Sequence, residues 1–182
     1  MSNFSFVTEP VLRSNLDTTF DHITDLLAIS ESKEYEDKPL LVSSMRKTII
    51  IHTASIIEAL LLWKLKQHCK SNKIQLTNEW KYYDINILHE IDDARQVISG
   101  YRKQEEKSLD RLDFMRITDY CFNQKIISSS QLKGEIDKVR ELRNKLHIGS
   151  LSTKEKEYTK EDLEFCFSIA KKVKDLVKNN HK

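Results

Sequence analysis

Two arginines and a histidine recur at helical spacing between residues 140 and 147. Arg140, Arg143 and His147 are three and four residues apart, so a helix would stack their side chains along one edge, with Asn144 beside them. A guanidinium donates forked hydrogen bonds that fit a phosphate, and an imidazole with a pKa near neutrality exchanges protons with a hydroxyl group. The amide of Asn144 can orient the imidazole or the phosphate. Together these residues predict phosphate chemistry, up to the cleavage of RNA without a metal ion.

A structural role is the alternative for the same side chains. Arginine and histidine near the C-terminal end of a helix interact favourably with the helix macrodipole. A histidine at the border of an apolar stripe is also more often a structural residue than a catalytic one. Spacing alone therefore does not separate the two roles.

An apolar stripe sets the orientation of these side chains. Its members step by three and four positions along one face of a predicted helix: Leu132, Ile136, Val139, Leu142 and Leu146. The serines at 128–130 offer hydroxyl groups for the start of this helix, and Gly149 marks its predicted end. At about 100° per residue, Arg143 falls within the apolar sector, while Arg140 and His147 lie along its border.

Arg143 therefore requires a partner inside the protein. Burial of an unpaired guanidinium costs several kcal/mol, so this residue needs a carboxylate, a cleft or a second subunit. Glu58 is the only acidic residue between positions 46 and 66, in a segment that is otherwise strongly apolar. We predict that Glu58 pairs with Arg143 and supports the site.

The scarcity of glycine and proline favours long helices over sheets. The 182 residues contain only three glycines and two prolines, which are fewer turn-forming residues than a sheet protein of this length usually has. Apolar periodicity predicts six helices. The first begins near Pro10, and the other five cover about 42–70, 80–106, 114–121, 130–148 and 160–178. In the 80–106 segment the helical pattern rests on Ile87, Ile91, Ala94 and Ile98. We expect an all-α fold, an up-and-down bundle of about five to six helices in one domain over residues 1–182.

Charge and cysteine content indicate which partners and which cellular compartment to expect. A net charge of +2 is too small to hold nucleic acid non-specifically, so any contact with RNA requires a local patch. Cys69, Cys121 and Cys166 are odd in number and far apart, which is typical of free thiols in a reducing compartment. The N-terminus lacks the pattern of a signal peptide, and the longest apolar stretch is interrupted by His52 and Glu58. We predict a cytoplasmic protein that does not bind membranes.

Other chemistry has weak support in the sequence. His89, Asp92 and Asp93, with Asp84 nearby, have a helical spacing compatible with a weak metal site, but a solvated helix face is the favoured interpretation. The chain has no glycine-rich phosphate loop and no nucleophile elbow, which argues against nucleotide hydrolysis and ester chemistry. We expect no cofactor and no metal.

The order of these motifs resembles the HEPN superfamily of helical domains. The resemblance is carried by four segments: Ala54–Leu61, which is similar to a central helix with a lone glutamate, the lead-in Ile126–Leu132, the motif Val139–His147, and Tyr158–Asp162 at the start of a final helix. It covers roughly residues 42–178 and leaves an N-terminal helix and loop, residues 1–41, outside. The 80–106 segment is the least similar part.

The resemblance implies a function and a set of partners. Active HEPN proteins are metal-independent endoribonucleases that pair two motif helices in a homodimer, and many act as toxins of toxin–antitoxin pairs or in abortive infection and other anti-phage defence. RNA would be the substrate, and an antitoxin or a defence-complex subunit a further partner. Six residues lie between Arg140 and His147, a spacing that the family motif allows, whereas Arg143 directly precedes Asn144 but has only three residues between it and His147. The alternative is a non-catalytic RNA-binding or dimerisation module, or a partner subunit of a defence complex.

Overall fold

A computed structural model describes residues 2–74, 78–106, 108–144 and 157–179, without the side chains of residues 78, 79, 105 and 106. Within these ranges the helices are α1 (Pro10–Ser30), α2 (Pro39–Asn72), α3 (Phe114–Asn123), α4 (Ser130–Asn144) and α5 (Lys160–Asn179), and the strands are β1 (Asn78–Asp92) and β2 (Arg95–Glu106). The chain divides into two compact units. The helical unit comprises Met1–Leu65 with Asp113–Lys182, and the hairpin unit comprises Lys66–Leu112.

The predicted all-α fold is wrong, because the segment expected to form a helix over 80–106 is a β-hairpin. Strands β1 and β2 pair antiparallel in a two-stranded sheet, so the protein is mostly helical but mixed in class. The register of β1 shifts at three places, between Tyr83 and Asn86, between Ile87 and His89 and between Glu90 and Asp92. Each shift interrupts the alternation of apolar and polar residues that marks a strand, and leaves apolar residues at spacings that imitate a helix.

Helix α2 is the core of the helical unit, as its nearly continuous apolar sequence predicts. Its most deeply buried side chains are Ile49, Ile50, Ile57, Leu60, Leu61, Trp63 and Leu65. The helix is long and apolar enough to meet the length and composition criteria for a membrane span, with 61% of its most apolar window buried inside the protein. Burial of this kind is what the hydrophobic effect favours for a helix that is apolar on all sides.

Helix α5 packs one apolar stripe into the same core. Thr159 and Asp162 form the capping box predicted from the sequence: the Thr159 amide donates to Asp162 Oδ2 at 2.9 Å, and the Asp162 amide donates to Thr159 Oγ1 at 3.3 Å. The amide of Tyr158 donates to Ser43 Oγ on α2 at 2.9 Å, which ties the start of α5 to the central helix. The free thiols of Cys121 and Cys166 are fully buried.

Helices α3 and α4 each begin at a side-chain cap. Asp113 caps α3 by accepting a hydrogen bond from the Arg116 amide at 2.8 Å, and Ser129 caps α4 by accepting one from the Leu132 amide at 3.2 Å. Helix α4 buries Ile136 and Val139, both on the predicted apolar stripe. The charged residues beside that stripe consequently lie next to the core.

Candidate functional site

Arg143 and Glu58 form an ion pair that links α4 to α2. Arg143 Nη1 donates to Glu58 Oε2 at 2.9 Å. The side chains are 31% and 23% exposed, so the pair is largely shielded from water without being enclosed. The pairing predicted from the sequence is confirmed.

Burial and charge act on the Glu58 carboxyl in opposite directions. Desolvation is the largest effect and raises its pKa, whereas the charge and hydrogen bond of Arg143 lower it; the neighbouring Asp113 carboxylate raises it further. The net result is a pKa above the usual value of 4.5. Arg143 therefore stabilises the ionised form of Glu58 without fully offsetting the cost of burial.

A third element holds Arg143 from the other side. The guanidinium carbon of Arg143 lies 5.9 Å from the centre of the Phe114 ring at the start of α3, within the range of a cation–π contact. Phe114 is 3% exposed, so the ring is fixed by the core. Arg143 is thus held by side chains from α2 and α3 as well as by its own helix.

Arg140 has an incomplete set of partners. Its Nη2 lies 3.4 Å from Asp137 Oδ1 on the same helix, and its side chain is 21% exposed. Its Nε is buried and has no hydrogen-bond partner within the part of the chain that the structure describes. A buried donor without an acceptor costs about 1–3 kcal/mol, so an acceptor brought by a ligand would be stabilised there.

Both arginines border an open cleft of about 690 Å³. Its walls come from α2, from the start of α3 and from the end of the described part of α4: Ile51, Glu58, Asp113, Phe114, Met115, Arg140, Arg143 and Asn144. This volume lies within the usual range for a small-ligand site. Two guanidiniums and two carboxylates line the cleft, so its charges nearly balance.

The structure brings together four of the five residues that the sequence singles out. Arg140, Arg143, Asn144 and Glu58 border the same cleft. His147 lies outside the described residues, as does the predicted helix end at Gly149.

Sequence reasoning missed the wall formed by Asp113, Phe114 and Met115. The sequence does show Asp113 directly before an apolar helix. This pattern identifies an N-cap but does not indicate which other helix the cap lies against.

The candidate metal ligands of the sequence lie on the hairpin instead of on a helix. His89 and Asp92 are on β1, and Asp92 accepts a hydrogen bond from Arg95 Nε at 2.8 Å across the turn. That contact lowers the Asp92 pKa. In the ranges that the structure describes, no group of three or more histidine, cysteine, aspartate or glutamate side chains is placed to hold a metal ion.

Comparison with known proteins assigns no family to the chain. No protein-family model matches it, and neither the curated proteins nor the solved structures provide a match. Function is therefore inferred from the cleft and its charged side chains.

Proposed function

We propose that the chain is a metal-independent endoribonuclease of HEPN type that acts in toxin–antitoxin or anti-phage defence. The observation that supports the proposal is the buried Nε of Arg140, a charged donor without a partner among the described residues, on the wall of a cleft. A phosphate oxygen is an acceptor of matching charge for such a donor. Six residues also lie between Arg140 and His147, a spacing that the family motif allows.

The two arginines have different tasks in this proposal. Arg143 is neutralised by Glu58 and held against Phe114, so it keeps α4 in place beside α2. Arg140 is the arginine with donor capacity left, so it contacts the phosphate. The exposed Asn144 lies at the same edge of the cleft and orients either the phosphate or the imidazole of His147.

The proposed reaction is an internal transfer within RNA. His147, placed by its spacing in the motif, takes the proton of a ribose 2′-hydroxyl, and the resulting oxygen attacks the adjacent phosphorus. The bond from phosphorus to the 5′ oxygen breaks, and that oxygen receives a proton, which the second histidine of a homodimer can supply. Arg140 stabilises the negative charge of the crowded phosphorane. The products are a 2′,3′-cyclic phosphate and a 5′-hydroxyl.

The near balance of charge in the cleft favours a second candidate, a non-catalytic RNA-binding or partner-binding module of the same class. Glu58 and Asp113 offset the two arginines, which weakens attraction to a polyanion. A site of this kind binds one phosphate group through directed hydrogen bonds better than it binds a long backbone through charge. The two candidates differ in whether RNA is cut.

Cleavage of end-labelled RNA in the presence of a chelator distinguishes them. We expect the purified protein to produce cyclic-phosphate ends, and Arg140→Ala or His147→Ala to reduce the rate about a hundredfold or more. Lys138→Ala, which removes an exposed cation from the same helix, is the matched control and should cut at the normal rate. Intact RNA with retained binding would replace the nuclease by the binding module, and equal cleavage by all variants would reject the proposed site.

A further inference from the structure

The hairpin unit exposes an unusual amount of apolar surface. Nine large hydrophobic side chains on β1 and β2 are between 43% and 65% exposed. A two-stranded hairpin is at best marginally stable in water, and contiguous exposed apolar patches mark interaction surfaces. Exposed apolar side chains that share one face of the hairpin are therefore candidates for an interaction surface.

The strand register assigns the apolar residues to faces. Four cross-strand pairs have their β2 members at even positions and so share one face: Trp80 with Gln104, Tyr82 with Arg102, Ile87 with Ile98, and Glu90 with Gln96. We name these eight residues the apolar hairpin face. Aromatic residues occupy its base, the isoleucine pair its middle and polar residues its tip.

Opposite charges stand at the two ends of this face. Arg102 lies near the base, where its guanidinium carbon is 4.4 Å from the centre of the Trp80 ring. Glu90 lies near the tip, where its Oε1 accepts a hydrogen bond from Gln96 Nε2 at 3.3 Å. Both side chains are therefore held in place before any partner binds. The Ile87–Ile98 pair lies between them.

This pattern is complementary to itself under a two-fold rotation. Two hairpins packed face to face in opposite directions place Arg102 of one copy against Glu90 of the other, twice, with the Ile87–Ile98 pairs of both copies between the two charge pairs. An isologous interface requires this kind of self-complementarity. An aliphatic centre flanked by charged residues agrees with the usual anatomy of a protein interface, an apolar core with a polar rim.

We propose that the chain forms a homodimer in which the apolar hairpin faces of two copies pack antiparallel, with Arg102 of each copy paired to Glu90 of the other. The surface is separate from the cleft of the helical unit in its residues and its chemistry. Its test measures association and not RNA cleavage, and charge reversal on the hairpin leaves the motif helix unaltered, so loss of the hairpin dimer and loss of the nuclease are separate outcomes.

Charge reversal on the full-length chain tests the pairing. Analytical ultracentrifugation over a range of concentrations should give a dimer of the 21.4 kDa chain. Arg102→Glu and Glu90→Arg should each weaken the dimer about tenfold or more, because each places like charges together twice, and the double variant should restore it. Lys103→Glu on the opposite face is the matched control and should leave the dissociation constant unchanged.

Three results would overturn the hairpin dimer. One is a chain that remains monomeric at all concentrations, in which case the face serves RNA or another protein. Another is a dimer that Arg102→Glu and Glu90→Arg both leave intact, which would place the interface elsewhere. The last is a double variant as weak as the single ones. Circular dichroism of each variant, which should match the unmodified chain because the altered side chains are exposed, shows that association and not folding has changed.

Discussion

Glu58 and Arg143 stand 85 residues apart in the chain and meet at 2.9 Å between α2 and α4. Each side chain carries its charge next to buried apolar residues. Each charge offsets part of the cost of burying the other. The pair fixes α4, and with it Arg140, against the central helix. Positioning at the cleft thus depends on an ion pair that contacts no ligand in the proposed reaction.

Removing one partner should destabilise the protein. We expect Glu58→Ala to lower the free energy of unfolding by roughly 1–3 kcal/mol, between the values for exposed and fully buried pairs, because both side chains keep some contact with water. Urea denaturation followed by circular dichroism measures the change. Lys172→Ala, which removes the exposed partner of Glu135, is the control and should cost less than Glu58→Ala.

A double-mutant cycle separates the pair from its surroundings. The variant that lacks both Glu58 and Arg143 should be more stable than the sum of the two single losses implies, because neither charge is left alone. Strict additivity of the two losses would show that the two side chains do not stabilise each other.

The prediction of this pair shows what sequence reasoning could reach. Glu58 was identifiable because no other carboxylate lies in the apolar segment, and Arg143 because an apolar stripe surrounds its position, so charge balance alone joined them. The capping box of Thr159 and Asp162 was equally visible, since it depends only on residues three positions apart.

Features that depend on distant or irregular structure were not visible in the same way. The three register shifts of β1 disguised a strand as a helix, because each adds a residue that belongs to neither period. The contact of Phe114 with Arg143 joins α3 to α4 through tertiary packing, for which local periodicity carries no information. The fold class was wrong for the first reason and the cleft wall incomplete for the second.

The stability of the protein should depend on pH through the ionisation of Glu58. Its pKa in the folded protein is raised, chiefly by burial, above the usual 4.5, so the folded state holds the proton more tightly than the unfolded chain. The stabilisation that this provides is fully present below pH 4.5 and is lost as the pH rises through the folded pKa. The stability of the unmodified protein relative to Glu58→Gln should therefore fall with rising pH across this window. A relative stability that rises with pH would show that Arg143 outweighs burial.

The thiols of the helical unit should be unreactive in the native state. Cys166 is fully buried, and burial raises its pKa to about 12, so almost no thiolate exists at neutral pH; Cys121 is equally inaccessible. We expect a chromogenic disulfide reagent to label these two cysteines only as fast as the protein unfolds. Urea should release both thiols together with the loss of helix signal. Rapid labelling of Cys166 in native protein would contradict the packing of α5.

Arg140 should contribute to ligand binding at the expense of stability. Its buried Nε lacks an acceptor in the described residues, and its Nη2 lies 3.4 Å from Asp137 Oδ1, a carboxylate that also pairs with Lys133 at 3.0 Å. Replacement by methionine keeps much of the apolar stem and removes the unsatisfied donor. We expect Arg140→Met to leave the free energy of unfolding within about 1 kcal/mol of the original or to raise it.

The same replacement should weaken RNA binding. Fluorescence anisotropy with a labelled single-stranded RNA should show a dissociation constant about tenfold higher or more, because one charge-assisted contact to phosphate is lost. Lys138→Met, an exposed change on the same helix, is the control for loss of one positive charge and should alter binding much less. A strong loss of stability with unchanged affinity for RNA would show that Arg140 is a structural residue. Removing a donor that stabilises only the fold lowers stability and leaves RNA binding unchanged.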